Sequence, residues 1–263
     1  MKYIINLICL ALLIFSCNTE PKPCNGEHGI YTDNLDTALK YPNCISILNF
    51  TIPNRTYKMP SLAFLKQNMM ITITDTVGRN NWKQLLCRIA EIDSIRTLSL
   101  QGTIRQSTLP LRLNKKNTIK ELEIWMPVDT FPKIISKMKD LEYLKIWNIS
   151  SSQDISNYLT KTPKLNRLEI IKYPSDSLPS SIAGLNKLGY LYIGGNKLKY
   201  IPRDIIKIKG LHEVDFTGTP LAKSELSYFK KHKHYNQLKI IEDSLPHCSI
   251  AVQLNNEARN LLL

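Results

Sequence analysis

The stretch LGYLYIGGNKLKYIPRDIIKIKG, residues 188–210, decides how this chain is read. Its first half sets Leu188, Leu191 and Ile193 in the pattern apolar-x-x-apolar-x-apolar. Leu191 and Ile193 alternate with Tyr190, Tyr192 and Gly194, the period of a strand with one face turned inward. Its second half begins at Ile201-Pro202 and continues through Ile205 and Ile208. Proline holds φ near −65° at the start of a short helical turn, and apolar residues three apart then share one side of it. One unit is therefore a strand, a turn and a short helical or 3₁₀ segment.

The same pattern recurs outward in both directions. It starts at Ile95, Ile119, Leu141, Leu165, Leu188 and Leu211, with spacings of 24, 22, 24, 23 and 23 residues. Two weaker copies precede these: Ile45-Leu48-Phe50, and Ile71 with Ile73 behind Asn68 in the leading slot. Phe131-Pro132 with Ile135 and Met138, and Leu178-Pro179 with Ile182 and Leu185, repeat the second half. No such unit can bury its apolar face alone, so stacked neighbours must form one continuous core.

These residues resemble the leucine-rich-repeat family in its form of roughly 23 residues. The resemblance covers residues 45–234 and implies an α/β solenoid, a horseshoe of about eight repeats of 22–27 residues. It also implies a parallel concave sheet, short helical or 3₁₀ convex segments, and a cap at each end. The family's turn asparagine is present only as Asn196; Thr103, Pro127, Ile149, Tyr173 and Thr219 fill its slot elsewhere.

The ends are organised differently. Residues 1–16 carry Lys2, a run over 4–15 that is apolar apart from Asn6, and the small Ser16, which is the make-up of an export signal too short to span a bilayer. Ile14-Phe15-Ser16-Cys17 resembles a bacterial lipobox, which implies acylation, palmitate included, of Cys17. Residues 17–32 read as a tether and 33–44 as an N-terminal cap with a helix near 36–41. Residues 235–263 read as a C-terminal cap, in which helical spacing over 224–244 is preferred to a ninth repeat strand at Leu238 and Ile240. Cys24 and Cys44 precede the first repeat and suit a disulfide in an oxidising compartment, with two unrelated thiols as the alternative. Cys87 reads as a core residue. Short Asp-Ser/Thr-apolar stretches such as Asp176-Ser177-Leu178 resemble O-glycosylation acceptors of Bacteroidetes-type bacteria, a weak signal. The expected location is a bacterial cell envelope, lipid-anchored to the outer membrane, with the surface and periplasmic faces both open.

In a repeat of this kind the third, fifth and seventh slots of each strand point away from the core. For eight strands these are Ile47, Asn49, Thr51; Met70, Thr72, Thr74; Thr97, Ser99, Gln101; Glu121, Glu123, Trp125; Tyr143, Lys145, Trp147; Arg167, Glu169, Ile171; Tyr190, Tyr192, Gly194; and Glu213, Asp215, Thr217. Five are acidic and two basic, although the whole chain carries a net charge of +13. The positive excess must then sit on the convex side, loops and caps. Phosphate backbones need clustered Lys and Arg facing them, so nucleic acid is disfavoured on this face.

Aromatic residues gather here as well. Trp125 and Trp147 hold the same slot on adjacent strands about 4.8 Å apart, so their rings are expected to stack or nearly so. Glu123, Trp125, Tyr143, Lys145, Trp147, Arg167, Glu169, Tyr190 and Tyr192 form the candidate ligand strip, for a protein or a glycan. Aromatics also favour strands for packing reasons alone. No nucleophile with a placed base, phosphate loop, cofactor motif or Cys/His metal cluster is found, and His232 and His234 lack partners. His212 is the one histidine the spacing sets on a strand. The reading is a monomeric, non-enzymatic, lipid-anchored binding module with neither cofactor nor metal. Its alternative is a structural or adhesive envelope protein that meets anionic surfaces through its basic convex side.

Overall fold

The computed structural model describes residues 30–41, 43–52, 58, 60–63, 65, 69–75, 82–92, 94–103, 119–151, 155–195, 197–221, 223–231 and 239–241. Ten strands run parallel in one sheet, each hydrogen-bonded to its neighbour in chain order. They are β1 (Ile30–Thr32), β2 (Ile45–Thr51), β3 (Met69–Asp75), β4 (Ile95–Gly102), β5 (Glu121–Trp125), β6 (Tyr143–Trp147), β7 (Arg167–Ile171), β8 (Tyr190–Gly194), β9 (Glu213–Asp215) and β10 (Lys239–Ile241). The middle eight are the repeat strands that the spacing predicts.

Register follows the apolar pattern row by row. Leu122, Leu144, Leu168, Leu191 and Val214 are cross-strand partners, as are Ile124, Ile146, Ile170 and Ile193. All are buried. On the opposite side of the core lie α1 (Leu35–Lys40), α2 (Trp82–Ile89), α3 (Ser156–Leu159) and the 3₁₀ turns η1 (Lys133–Lys137), η2 (Ser180–Gly184) and η3 (Arg203–Lys207). Pro132, Pro179 and Pro202 begin the three 3₁₀ turns at φ −66°, −66° and −57°. Ile135, Ile182 and Ile205 then fall inward and are buried, as the three-residue spacing requires. Phe131 and Tyr158 add a stacked ring pair, centroids 5.8 Å apart, between the first of these turns and α3.

Each strand from β6 to β9 leaves the sheet through a left-handed residue in the same slot. Asn148, Lys172, Gly195 and Gly218 have φ of 64°, 57°, 59° and 75°. Glycine takes this conformation without a Cβ clash and asparagine tolerates it, whereas lysine is strained there. The turn still extends the ladder: Asn148 N donates to Ile171 O and Lys172 N to Gly194 O.

Four expectations are corrected at the edges. Residues 30–32, read as tether, form β1 and pair with β2, so they belong to the cap. The leading core slot of β3 belongs to Met69, fully buried opposite Ile95, because the register slips by one between Met69 and Met70. The C-terminal helix α4 (Lys223–Lys231) ends well before residue 244, and residues 239–241 form a further strand beside β9, with Ile240 opposite Val214 rather than in the register that sets Leu238 and Ile240 in the two core slots. An open parallel edge presents unpaired N–H and C=O groups, and pairing with a three-residue strand satisfies them better than a longer helix could. His212 lies one residue before β9 and is exposed.

The caps are built from side chains. Asn34 caps α1 by accepting from the backbone N–H of Asp36 at 2.8 Å and Thr37 at 3.2 Å. Arg203 ties α4 to the last 3₁₀ turn, with a 3.0 Å ion pair to Glu225 and its guanidinium 3.5 Å over the Tyr228 ring. Cys44 is disulfide-bonded. Cys17, Cys24, Asn196 and the basic run 230–234 beyond Lys231 lie outside the described residues.

Candidate functional site

The chain is a leucine-rich-repeat solenoid, and a fold of this kind has two unequal surfaces. The convex one is irregular, made of turns and short helices. The concave one is a ruled grid in which every strand contributes side chains at fixed intervals. The nine strip residues expected from sequence all lie on that grid, on β5 to β8.

The grid places them in three rows. The first reads Glu121, Tyr143, Arg167, Tyr190, Glu213 across β5 to β9, the same residue types from either end. The second reads Glu123, Lys145, Glu169, Tyr192, Asp215. In the third, Trp147, Ile171 and Gly194 are partners, with Trp125 beside Gln101 of β4.

Glu169 sits at the centre and is only 4% exposed, an ionisable group that needs partners to be buried. It has them. Lys145 Nζ lies 3.0 Å from Oε2, while Arg167 Nη2 and Nε lie 2.6 and 2.8 Å from Oε1. The Tyr143 hydroxyl also hydrogen-bonds Glu169. Arg167, held by that carboxylate, lies between two rings, its guanidinium 4.4 Å from the Tyr190 centroid and 5.2 Å from that of Tyr143.

The tryptophans do not stack on each other. Lysines take the ring faces instead: Lys145 Nζ is 4.1 Å from the Trp125 centroid, and Lys172 Nζ is 4.6 Å from that of Trp147. Lys145 belongs to the same strand as Trp147 and leans across to β5 and β7, filling the space an indole would need. Trp125 is further held by its Nε1–H, which donates to Glu123 Oε2 at 2.9 Å. Ser99 Oγ donates to the same oxygen at 3.3 Å, and Thr97 Oγ1 donates to Glu121 at 2.9 Å. Both tryptophans are half-buried.

Burial and carboxylates act together on the phenols. Burial first, then the charges of Glu169 and Glu123, push Tyr143 well above the usual tyrosine range. Burial, then Asp215 and Glu169, push Tyr190 the same way. Both hydroxyls are therefore neutral donors near pH 7. Tyr192 lies along its own strand, and a Cβ on Gly194 would collide with its phenol. Gly194 is thus the floor on which that ring rests.

Sequence reasoning missed two members. Lys172 joins the strip only because its left-handed turn swings it back over Trp147. Gly194 matters for what it leaves room for. The repeated left-handed slot was visible beforehand as Gly195 and Gly218 in equivalent positions.

The convex cations are scattered by comparison. Lys133, Lys137 and Lys207 stand exposed on the 3₁₀ turns, and Lys207 pairs with Asp204 at 2.5 Å. Lys164 pairs with Asp140 at 2.6 Å, and Lys139 donates to Lys161 O. A hollow of 270 Å³ between residues 160–165 and 184–187 holds no acid–base pair. Among the described residues no three His, Cys, Asp or Glu side chains gather as metal ligands would, and no helix is long and apolar enough to cross a membrane.

No family model matches the chain. Over 159 residues, 59% of its length, it is 28% identical to the volume-regulated anion channel subunit LRRC8A of Homo sapiens, and equally to that of Rattus norvegicus. The chain spans 19% of the length of those subunits. Among solved structures it is similar to an LRR protein of Leptospira interrogans, at 16% identity over 73% of this chain and 60% of that one, with a TM-score of 0.43. It is also similar to an internalin of Listeria monocytogenes, at 16% identity over 75% and 54%, with a TM-score of 0.49.

Proposed function

We propose that this chain is a non-enzymatic binding module that takes a protein ligand across the concave strip of β5 to β9, held at a bacterial outer membrane by a lipid on Cys17. The observation that carries the reading is the buried Glu169 tie. It fixes Lys145 and Arg167, and through them orients Trp125, Tyr143 and Tyr190 before any ligand arrives. Side chains already ordered lose little freedom on binding, which is how a surface gains affinity without added area. Aromatic groups with arginine among them are the residue types that dominate protein interfaces.

A protein ligand is favoured over a glycan by the lysines. Sugar recognition by stacking needs a bare ring face, and Trp125 and Trp147 each already carry an ammonium on one. The export signal, the Cys17 motif and the disulfide at Cys44 together support an oxidising envelope compartment, with Cys24 as the proposed partner of Cys44.

A photo-crosslinking amino acid at position 192 tests this in the producing cell, with position 207 as the convex control. A protein captured at 192 and not at 207 is the expected result. Trp125→Ala with Trp147→Ala should then weaken that partner by about thirtyfold or more, the loss typical of two interface anchors. The second reading, an adhesive protein using its basic convex side, draws on the net charge of +13. It predicts capture at 207, indifference to the tryptophans and attachment that dissolves in salt. For the anchor, Cys17→Ala should move the chain to the soluble fraction and abolish palmitate labelling.

A further inference from the structure

The concave face changes chemistry between β4 and β5. Of its 24 positions on β2 to β9, all seven charged ones lie on β5 to β9, and β2 to β4 carry none. The neutral part is nevertheless not inert. Three large hydrophobic side chains stand exposed among the described residues, and two of them, Tyr31 at 58% and Met70 at 40%, fall in one cross-strand row. Ile47 lies between them in register. Exposed apolar side chains scattered singly need no explanation, but a row of them on the face already argued to bind does.

The charged part has its own sign. With Lys172 over Trp147 the strip holds three cations against five carboxylates, and two of the cations, Lys145 and Arg167, both spend their charge on Glu169. Glu121 and Glu123 accept only from neutral donors among the described residues, namely Thr97, Ser99 and Trp125. Asp215 likewise accepts from Thr217, at 2.8 Å from its N–H and 2.6 Å from its hydroxyl. The strip therefore projects negative charge, which would repel an acidic partner and draw a basic one.

We propose that the partner presents an extended polypeptide segment with apolar side chains at one end and Lys or Arg at the other. It lies across the strands, its apolar end on Tyr31, Ile47 and Met70 and its basic end over β5 to β9. This rests on the concave reading above and adds the polarity of the ligand. From β1 to β5 is four strand spacings of about 4.8 Å, and an extended chain advances about 3.3 Å per residue, so the two ends stand roughly six residues apart.

The test uses the full chain and fluorescent synthetic peptides of twelve residues. One carries leucine and methionine, a Gly/Ser spacer and then arginine and lysine. A second replaces every cation by glutamate. The basic peptide should bind at least about tenfold tighter than its inverted twin, and weaken with added salt. Glu121→Gln with Glu123→Gln, which keeps the accepting oxygens, should cost about tenfold and flatten the salt dependence. Met70→Gln, which adds no charge, should cost a similar, about tenfold, factor and leave the salt dependence unchanged, because the contact it removes is apolar. Melting curves of the variants check that they fold.

Equal or tighter binding of the inverted peptide, binding of neither peptide up to about 1 mM (an affinity of only about 4 kcal/mol), or indifference to Met70→Gln would each overturn the proposal. So would self-association of the chain that responds to the same substitutions, since the occupant would then be a second copy. A partner captured at position 192 that contains no such segment overturns this inference and spares the concave reading. Capture confined to position 207 overturns both.

Discussion

Strands β2 to β4 and strands β5 to β9 share one sheet and one core, yet they present opposite kinds of surface. Behind the sheet the two parts match: Leu48, Ile71 and Leu98 are buried like Leu122, Leu144 and Leu168. In front, one part is a ladder of threonine, serine and amide groups, with Thr74 donating to Gln101 and Gln101 to Ser99. The other is a lattice of ion pairs and rings centred on Glu169. The difference teaches how a repeat divides its labour. Alternate positions of each strand are fixed by the core, and the positions between them are free to be spent on recognition.

The largest expected effect follows from that asymmetry. Glu169→Ala leaves Lys145 and Arg167 facing each other without their carboxylate, and should cost about 3 kcal/mol in urea unfolding. Thr72→Ala, in the same row on β3, should stay within about 0.5 kcal/mol. Equal losses at both sites would erase the contrast between the two parts. Next in size is Gly194→Ala. Its Cβ must displace the Tyr192 ring, so a loss of about 1–2 kcal/mol is expected. A variant as stable as the parent would show that the ring has elsewhere to go.

Lys172→Asn should act in the opposite direction. Asparagine tolerates the left-handed slot, as Asn148 does one repeat earlier, so stability should rise by about 0.5 kcal/mol after the ammonium over Trp147 is lost. A fall in stability would mean that the contact with Trp147 outweighs the strain. The smallest effect is one of slope. Tyr143 titrates above its unfolded value, so the folded state resists ionisation that the unfolded chain accepts. Stability is then fully present below about pH 10 and declines as pH rises past it. Tyr143→Phe should flatten that alkaline decline, and an unchanged profile between about pH 9 and 11 would remove the residue from the account.

What the sequence made legible was whatever has a period. The repeat strands, the proline turns and the concave grid all follow from spacings of about 23 and of 2, which the core enforces at every copy. What escaped has no period to betray it. β1 and β10 are three residues each, too short for alternation, and their pairing is settled by an open sheet edge rather than by their own composition. The slip at Met69 and Met70 is invisible because either neighbour could fill the slot as far as spacing goes. The tryptophans were placed correctly and paired wrongly, since a lysine's reach across two strands depends on where its carboxylate sits. The cations on the rings and the buried state of Glu169 are properties of the assembled grid, not of any one repeat.

The sequential strand order has a consequence for how such a chain can change. Each unit touches only the one before it and the one after it, so a length of 23 residues can be excised or duplicated without inventing a new core. Loss of residues 165–187 would set Tyr143 beside Tyr190 and remove Arg167 together with Glu169, leaving Lys145 to find Glu123 or Asp215. The face would shorten by one strand, about 4.8 Å, and change its charge pattern in a single step. In this molecule reach is counted in whole strands, and a gain or loss of one is a smaller accident for the fold than for whatever it holds.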